Sequence, residues 1–170
     1  MTGRTTLALD LGSTMGWAYG VDGEILYSGT VCHVKKDAHS ALQFLKFEEW
    51  LFQFKDVKTI LFERVSGFKG FQAAMNYGAY KAILQRFCLI HGIQTQNMKP
   101  NDIKKMFTGN GNAPKELMCE TAHKLGWRGG MTGTRIDHDE CDAIALLYCV
   151  SKARGETPRI KQPSPSESVH

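Results

Sequence analysis

Asp10 closes the apolar run Thr6-Leu7-Ala8-Leu9 and is followed at once by Leu11-Gly12-Ser13-Thr14, a tight-turn composition. Glu63 closes a second apolar run, Ile60-Leu61-Phe62, and the pair Asp139 and Asp142 stands at the head of a third apolar stretch. A carboxylate at the end of a buried strand loses hydration, and chains that gather several such groups commonly offset the loss with a cation. Residues at i and i+3 share a helix face, so Asp139 and Asp142 can address one ion, and the positive end of the helix dipole favours acids in a first turn. Any one of these acids alone is explained equally well as a cap or salt-bridge partner. Together, the four favour a metal site. An all-oxygen set without a Cys or His cluster suits Mg²⁺ or Mn²⁺ rather than zinc. Two such ions, roughly 3.5–4 Å apart, can activate a water and stabilise the leaving oxygen of a phosphodiester.

The elements that must position these acids follow from periodicity and turn chemistry. Residues 4–10, a segment after Gly16-Trp17-Ala18-Tyr19-Gly20, and Glu24–Val31 read as three strands, with Asp22-Gly23 supplying a hairpin turn. Residues 40–54 read as a helix with Ser40 as its N-cap, and Val57–Phe62 as a short continuous apolar strand, central in a sheet. A long helix is expected over Phe71–His91 with Gly92 at its C-terminal cap, then a strand over Ile93–Met98 that Lys99-Pro100 ends. Helices are expected over 101–107, 113–125 and about 138–153, the last reached through a loop containing Gly129, Gly130 and Gly133 and open to capping by Asp137. The order βββαβαβααα is that of an α/β fold with a mixed five-stranded sheet flanked by helices. One domain over 1–154 is expected, with a disordered Pro- and Ser-rich tail over 155–170.

At 170 residues, the chain can bury a sizeable core. No apolar run approaches the roughly 18 residues of a membrane span and no leader-like segment opens the chain, so a soluble cytoplasmic protein of a bacterium or phage-infected host is expected. The five cysteines show no Cys-x-x-Cys spacing, which fits buried thiols in a reducing compartment. Net charge is only +4, but the stretch Arg64–Gly109 holds seven basic residues against one acid, Asp102. A phosphate-binding face would carry that bias, as would solvated helix surfaces. Trp17, Trp50 and Trp127 read as packing residues. His138 reads as a cap or surface histidine, with a metal ligand or proton shuttle as the other reading. The small residues Ala73, Ala74, Gly78, Ala79 and Ala82 of the long helix suit either a subunit contact or packing on its own sheet.

Asp10 in LALDLGSTMGWA, Glu63 in ILFERV and Asp139-x-x-Asp142 in DHDECDAIALL resemble the acidic tetrad of the RuvC-type Holliday-junction resolvases, within the ribonuclease H-like superfamily. The segment from Ile103 through Lys115 resembles that family's basic segment before the penultimate helix, and the resemblance runs from about 5 to 151. It implies a homodimeric, Mg²⁺-dependent endonuclease (Mn²⁺ substituting) that cuts symmetrically related strands of four-way DNA junctions, with Asp10, Glu63, Asp139 and Asp142 as metal ligands. By position, Lys104 and Lys115 match the family's DNA-contacting lysines, with Lys105 an adjacent alternative to Lys104. A lysine there can hold a phosphate or stabilise the pentavalent transition state, which makes Lys115 an expected catalytic residue. Family members place an aromatic wedge a few residues after the second acid, where this chain has Ser66-Gly67. Phe68, between Gly67 and Lys69-Gly70, is then the aromatic expected to stack on a base, with Arg64 and Lys69 as DNA contacts, while Phe71 is expected to begin the helix core. The loop differs from that of a housekeeping cellular resolvase, and the compact chain suits a phage enzyme.

Three rival readings remain open on sequence. The opening strand also reads like that of the actin and Hsp70 ATPases, but those need a second such domain and give Asp139-x-x-Asp142 no role. A ribonuclease of the same fold acting on RNA or RNA–DNA hybrids shares the metal chemistry. A catalytically inactive DNA-binding module would gain nothing from four acids, because phosphate binding is favoured by fewer negative charges.

Overall fold

A computed structural model describes residues 3–34, 39–129 and 138–161. Among the described residues, six strands and five α-helices form a sandwich of helix layers around one mixed sheet: β1 (Thr5–Leu9), β2 (Thr14–Val21), β3 (Glu24–Cys32), α1 (Leu42–Leu51), β4 (Thr59–Glu63), α2 (Phe71–His91), β5 (Gln94–Met98), α3 (Pro100–Thr108), α4 (Lys115–Lys124), α5 (His138–Ala153) and β6 (Arg159–Ile160). The strand order is β5-β4-β1-β2-β3-β6. β1, β4 and β5 run parallel, while β1–β2–β3 is an antiparallel meander whose second turn places Asp22 (φ 50°) and Gly23 (φ 84°) in the left-handed region. Asp-Gly is the dipeptide that tolerates two successive positive φ angles, which is why the hairpin closes there.

The two faces of β2 decide which helix goes where. Gly16, Ala18 and Gly20 alternate with Met15, Trp17 and Tyr19. The small side lets α5 lie close: a Cβ on Gly20 would stand 3.2 Å from the Leu147 side chain. Ala8, Ala18 and Leu61 pack there with Ile144, Leu147 and Val150 of α5. On the other side Leu7, Leu9, Met15, Ile60 and Phe62 pack with Phe47 and Leu51 of α1 and with Tyr80, Leu84 and Phe87 of α2. β4 is buried along Thr59–Phe62, as its unbroken apolar sequence requires of a strand covered on both faces.

Most expected elements lie where periodicity put them. α1 begins later, with Ala41 at its N-cap position and no side-chain cap, so Ser40 does not cap it. α2 ends at Gly92 in the left-handed conformation (φ 67°), its N–H returning to the Cys88 carbonyl. The expected five strands gain a sixth. β6 lies in the segment assigned to a tail from 155 onward: Arg159 and Ile160 pair in parallel with Glu24 and Ile25, and the Lys161 N–H donates to the Ile25 carbonyl at 2.8 Å. A free strand edge on β3 is the physical reason, because its unpaired backbone groups are a template for any adjacent extended segment. The remainder of that tail, residues 162–170, and the loop residues Gly130, Gly133 and Asp137 lie outside the described residues. Among the described residues no helix is long and apolar enough to cross a membrane.

Candidate active site

Strand alternation aims the acids at α5. In β1, Ala8 faces α5 while Leu7 and Leu9 face away, and Asp10 is the next residue in the Ala8 phase. In β4, Leu61 faces α5 between Ile60 and Phe62, and Glu63 continues the Leu61 phase. Because β1 and β4 are neighbouring parallel strands with Leu9 opposite Phe62, Asp10 and Glu63 leave the sheet side by side at the same end. The first turn of α5 brings Asp139 and Asp142 to that end. Carboxylate oxygens of Asp10, Asp139 and Asp142, all partly buried, lie within 4.8 Å of one another. Glu63 stands outside this trio but beside it, because its charge acts on Asp10 and that of Asp142 acts on Glu63.

Three features hold the acids in place from behind. A Cβ on Gly16 would sit 1.8 Å from the Asp139 carbonyl oxygen, so only glycine admits the start of α5 onto β2. The loop from Asp10 to Gly16 is closed by a 3.0 Å hydrogen bond from the Asp10 N–H to the Gly16 carbonyl. On the β4 side, the Tyr77 hydroxyl of α2 donates to the Glu63 carbonyl at 2.6 Å, and its ring packs against Phe68 with centroids 5.2 Å apart.

Proton affinities express the crowding. Burial lifts the Asp10 carboxyl well above the ordinary range, and Glu63, Asp142 and Asp139 add to this while Lys115 opposes it. Burial, then the charge of Asp142, lifts Glu63 to about 7 against the pull of Lys104 and Lys115. Burial lifts Asp142 to about 6, with Asp139 adding and Lys115, Lys104 and His138 opposing. Four carboxylates pressed together and half-desolvated form a strong attractor for a hard divalent cation, which removes both the repulsion and the protons. The donor set fits such an ion.

The basic residues expected at the site divide into two groups. Lys115, the first residue of α4, and the half-buried Lys104 of α3 both act on the acids. Lys105 is exposed and is not among the charges acting on Asp10, Glu63 or Asp142. Arg64 follows Glu63, its N–H bonded to the Met98 carbonyl at 2.9 Å and its side chain exposed, and Lys69 is exposed in the loop before α2. Phe68 is 38% exposed on the same loop. Phe71, expected to begin the helix core, is instead 79% exposed. It lies nine residues before the buried Tyr80, about two and a half helical turns, and therefore on the opposite face. His138 does not join the trio; its Nδ1 lies 3.5 Å from the Cys119 sulfur.

Tyr77 was invisible as a site residue because one tyrosine in a long helix carries no local signature. Gly16 had a signal in the alternation of small residues at 16, 18 and 20, which marks the strand face a helix can approach closely. The buried Glu140 was masked by the acids flanking it.

No protein-family model matches the chain. The crossover junction endodeoxyribonuclease RuvC of Rickettsia prowazekii is 27% identical over 146 residues, spanning 79% of this chain and 87% of that protein. The Thermus thermophilus RuvC structure in complex with a Holliday junction substrate superposes with a TM-score of 0.71 at 18% identity, over 89% of this chain and 96% of that one. A fowlpox virus resolvase in complex with Holliday junction DNA superposes with a TM-score of 0.61 at 9% identity, over 88% of this chain and 98% of that one.

Two expectations follow from the geometry. Without divalent cation, folded Glu63 keeps its proton up to about 7 against an ordinary value of 4.5, so the folded chain binds more protons than the unfolded one across that window. Stability then falls as pH rises through it, and Glu63→Gln stabilises the metal-free protein near pH 8 by on the order of 1–3 kcal/mol. Thermal melts across pH in a chelator test this; identical pH profiles for the two proteins would sink it. Gly16→Ala is expected to displace Asp139 and to lower divalent-cation affinity about tenfold or more, and calorimetric titration returning wild-type affinity would refute the close-approach account.

Proposed function

We propose that the chain, similar in sequence and in fold to RuvC-type resolvases, is a divalent-metal-dependent endonuclease that cuts branched DNA at four-way junctions. The observation that carries the reading is the convergence of Asp10, Asp139 and Asp142 at one sheet end, with Glu63, Lys104 and Lys115 around them. Mg²⁺ is the proposed ion and Mn²⁺ its substitute, held by Asp10, Glu63, Asp139 and Asp142. Bound there, divalent ions supply an activated water and charge for the leaving oxygen.

The chain's own residues do the rest. Lys115 and Lys104 hold the scissile phosphate next to the acids and offset its charge as it grows in the transition state. Arg64, Lys69 and Lys105 extend the basic surface along the backbone. Phe68, braced on Tyr77, offers a ring on which an unpaired base can stack beside the Glu63 strand end. An open junction interrupts continuous base stacking at its crossover where a linear duplex does not, which is why this pairing of ring and acid favours branched substrates.

The proposed assembly is a homodimer through α2. Phe71, Met75, Gly78, Ala82, Gln85 and Leu89 are all exposed and recur every three or four residues, the spacing of a helix–helix seam. The buried line of the same helix, Tyr80, Leu84, Phe87 and Cys88, already serves its own sheet. Two copies sharing this seam would present two acidic centres to symmetry-related strands. Gly78→Arg is expected to sediment as a monomer where the wild type sediments as a dimer; a monomeric wild type would remove the seam.

The deciding experiment offers the pure protein a labelled immobile four-way DNA junction, a linear duplex and an RNA–DNA hybrid, with and without Mg²⁺. Paired, Mg²⁺-dependent cuts in the junction are expected. Asp10→Asn should bind the junction and leave it uncut, and Lys115→Ala should cut about 100-fold more slowly. Preferential cutting of the hybrid would make the chain a ribonuclease instead. Binding without any cutting would leave a DNA-binding module.

A further inference from the structure

Between the two proposed metal-ligating aspartates of α5 lies an acid that points elsewhere. Glu140 is 1% exposed, and its Oε1 accepts hydrogen bonds from the Ser28 hydroxyl of β3 at 2.6 Å and from the Trp127 indole N–H at 3.0 Å. Trp127 is itself 1% exposed and fixed to the end of α4: its N–H donates to the Ala122 carbonyl at 3.0 Å, and its carbonyl accepts from His123 Nδ1 at 2.8 Å. Helix α4 starts at Lys115. One carboxylate oxygen thus joins the sheet, the helix that carries the lysine and the helix that carries Asp139 and Asp142. A residue that served only to fill space here would be apolar, because burying a carboxylate is costly unless its hydrogen bonds are made.

We propose that Glu140 is a positioning residue that sets the metal affinity of the site: through Ser28 and Trp127 it fixes the rotation of the first turn of α5, and with it the approach of Asp139 and Asp142 to Asp10. Successive helical residues are about 100° apart, so when Glu140 is locked toward β3 and Trp127 the directions of its two flanking acids are determined. Gly16 sets how close that turn sits to β2, and Glu140 sets how it is turned. The inference rests on the metal-site reading above and adds to it a residue that touches neither ion nor DNA.

Calorimetric titration of the DNA-free protein with Mg²⁺, alongside thermal melts in chelator, tests it. Glu140→Ala should weaken Mg²⁺ binding about 10-fold to 100-fold, the range seen when outer partners of metal ligands are removed. Glu140→Gln keeps an acceptor oxygen for both donors and should stay within about threefold of wild type. Ser28→Ala and Trp127→Phe remove one donor each, should each weaken Mg²⁺ binding by an intermediate factor, and carry the test if Glu140→Ala does not fold. In each variant junction cleavage should recover at saturating Mg²⁺. A purely structural role would lower melting temperatures and leave Mg²⁺ affinity unchanged, which overturns the proposal. Equal losses in the Ala and Gln variants overturn it too, because charge rather than hydrogen bonding would then matter. A wild type that takes up no Mg²⁺ overturns it as well. A wild type that binds Mg²⁺ yet cuts no branched DNA would refute the nuclease reading alone.

Discussion

Like charges forced together in a poorly solvated corner are the constraint around which this fold is arranged. Two strand ends and one helix start deliver Asp10, Glu63 and Asp142 to the same place, and each carboxyl is pushed toward its protonated form by burial and by its neighbours. Left alone, such a cluster weakens the molecule wherever it is ionised. A rigid surround must therefore hold it: β4 buried between two helix layers, and α5 seated on the small-residue side of β2. The charges of the lysines at 104 and 115 oppose the repulsion among the acids.

The two faces of β2 show how one strand specifies both layers. Glycine and alanine on one side bring a helix backbone almost into contact, and methionine, tryptophan and tyrosine on the other hold α1 further off through an aromatic cluster in which Trp17 lies 6.1 Å from Trp50 and 6.0 Å from Phe54. The seat of Asp139 thus depends on a residue with no side chain. A close-packed contact has no slack to absorb even one methyl group.

Much of this was legible in sequence because local and global signals agree. The apolar runs ending in Asp10 and Glu63, the Asp22-Gly23 turn and Gly92 after a long helix each admit one local structure, and the fold uses each in that way. The i, i+3 spacing of Asp139 and Asp142 implies a shared face, and their carboxylates do converge with Asp10. What stayed hidden depends on long-range partners. Arg159 and Ile160 form a strand only because β3 offers an edge, and their own composition says nothing of it. Phe71 looked like core because apolar residues usually are, yet its phase relative to Tyr80 puts it outside. Trp127 packs as its size and apolarity imply, but its indole nitrogen also serves Glu140, a partner thirteen residues away that the sequence does not announce.

The sheet has two poles, and only one carries the acids. At the other, the Asp22-Gly23 hairpin, Lys58 and Glu156 gather near the start of β1, tied by the Arg4–Glu156 ion pair at 3.4 Å and by the Arg4 N–H to Asp22 at 2.7 Å. The strands between the poles act as stiff spacers of about 15 Å or more, given roughly 3.3 Å per residue over five residues. Loop lengthening, a fluorescent reporter or a fused module placed at the hairpin would thus be mechanically insulated from the acidic end, which makes this pole the natural attachment point for a label that leaves the carboxylate cluster undisturbed.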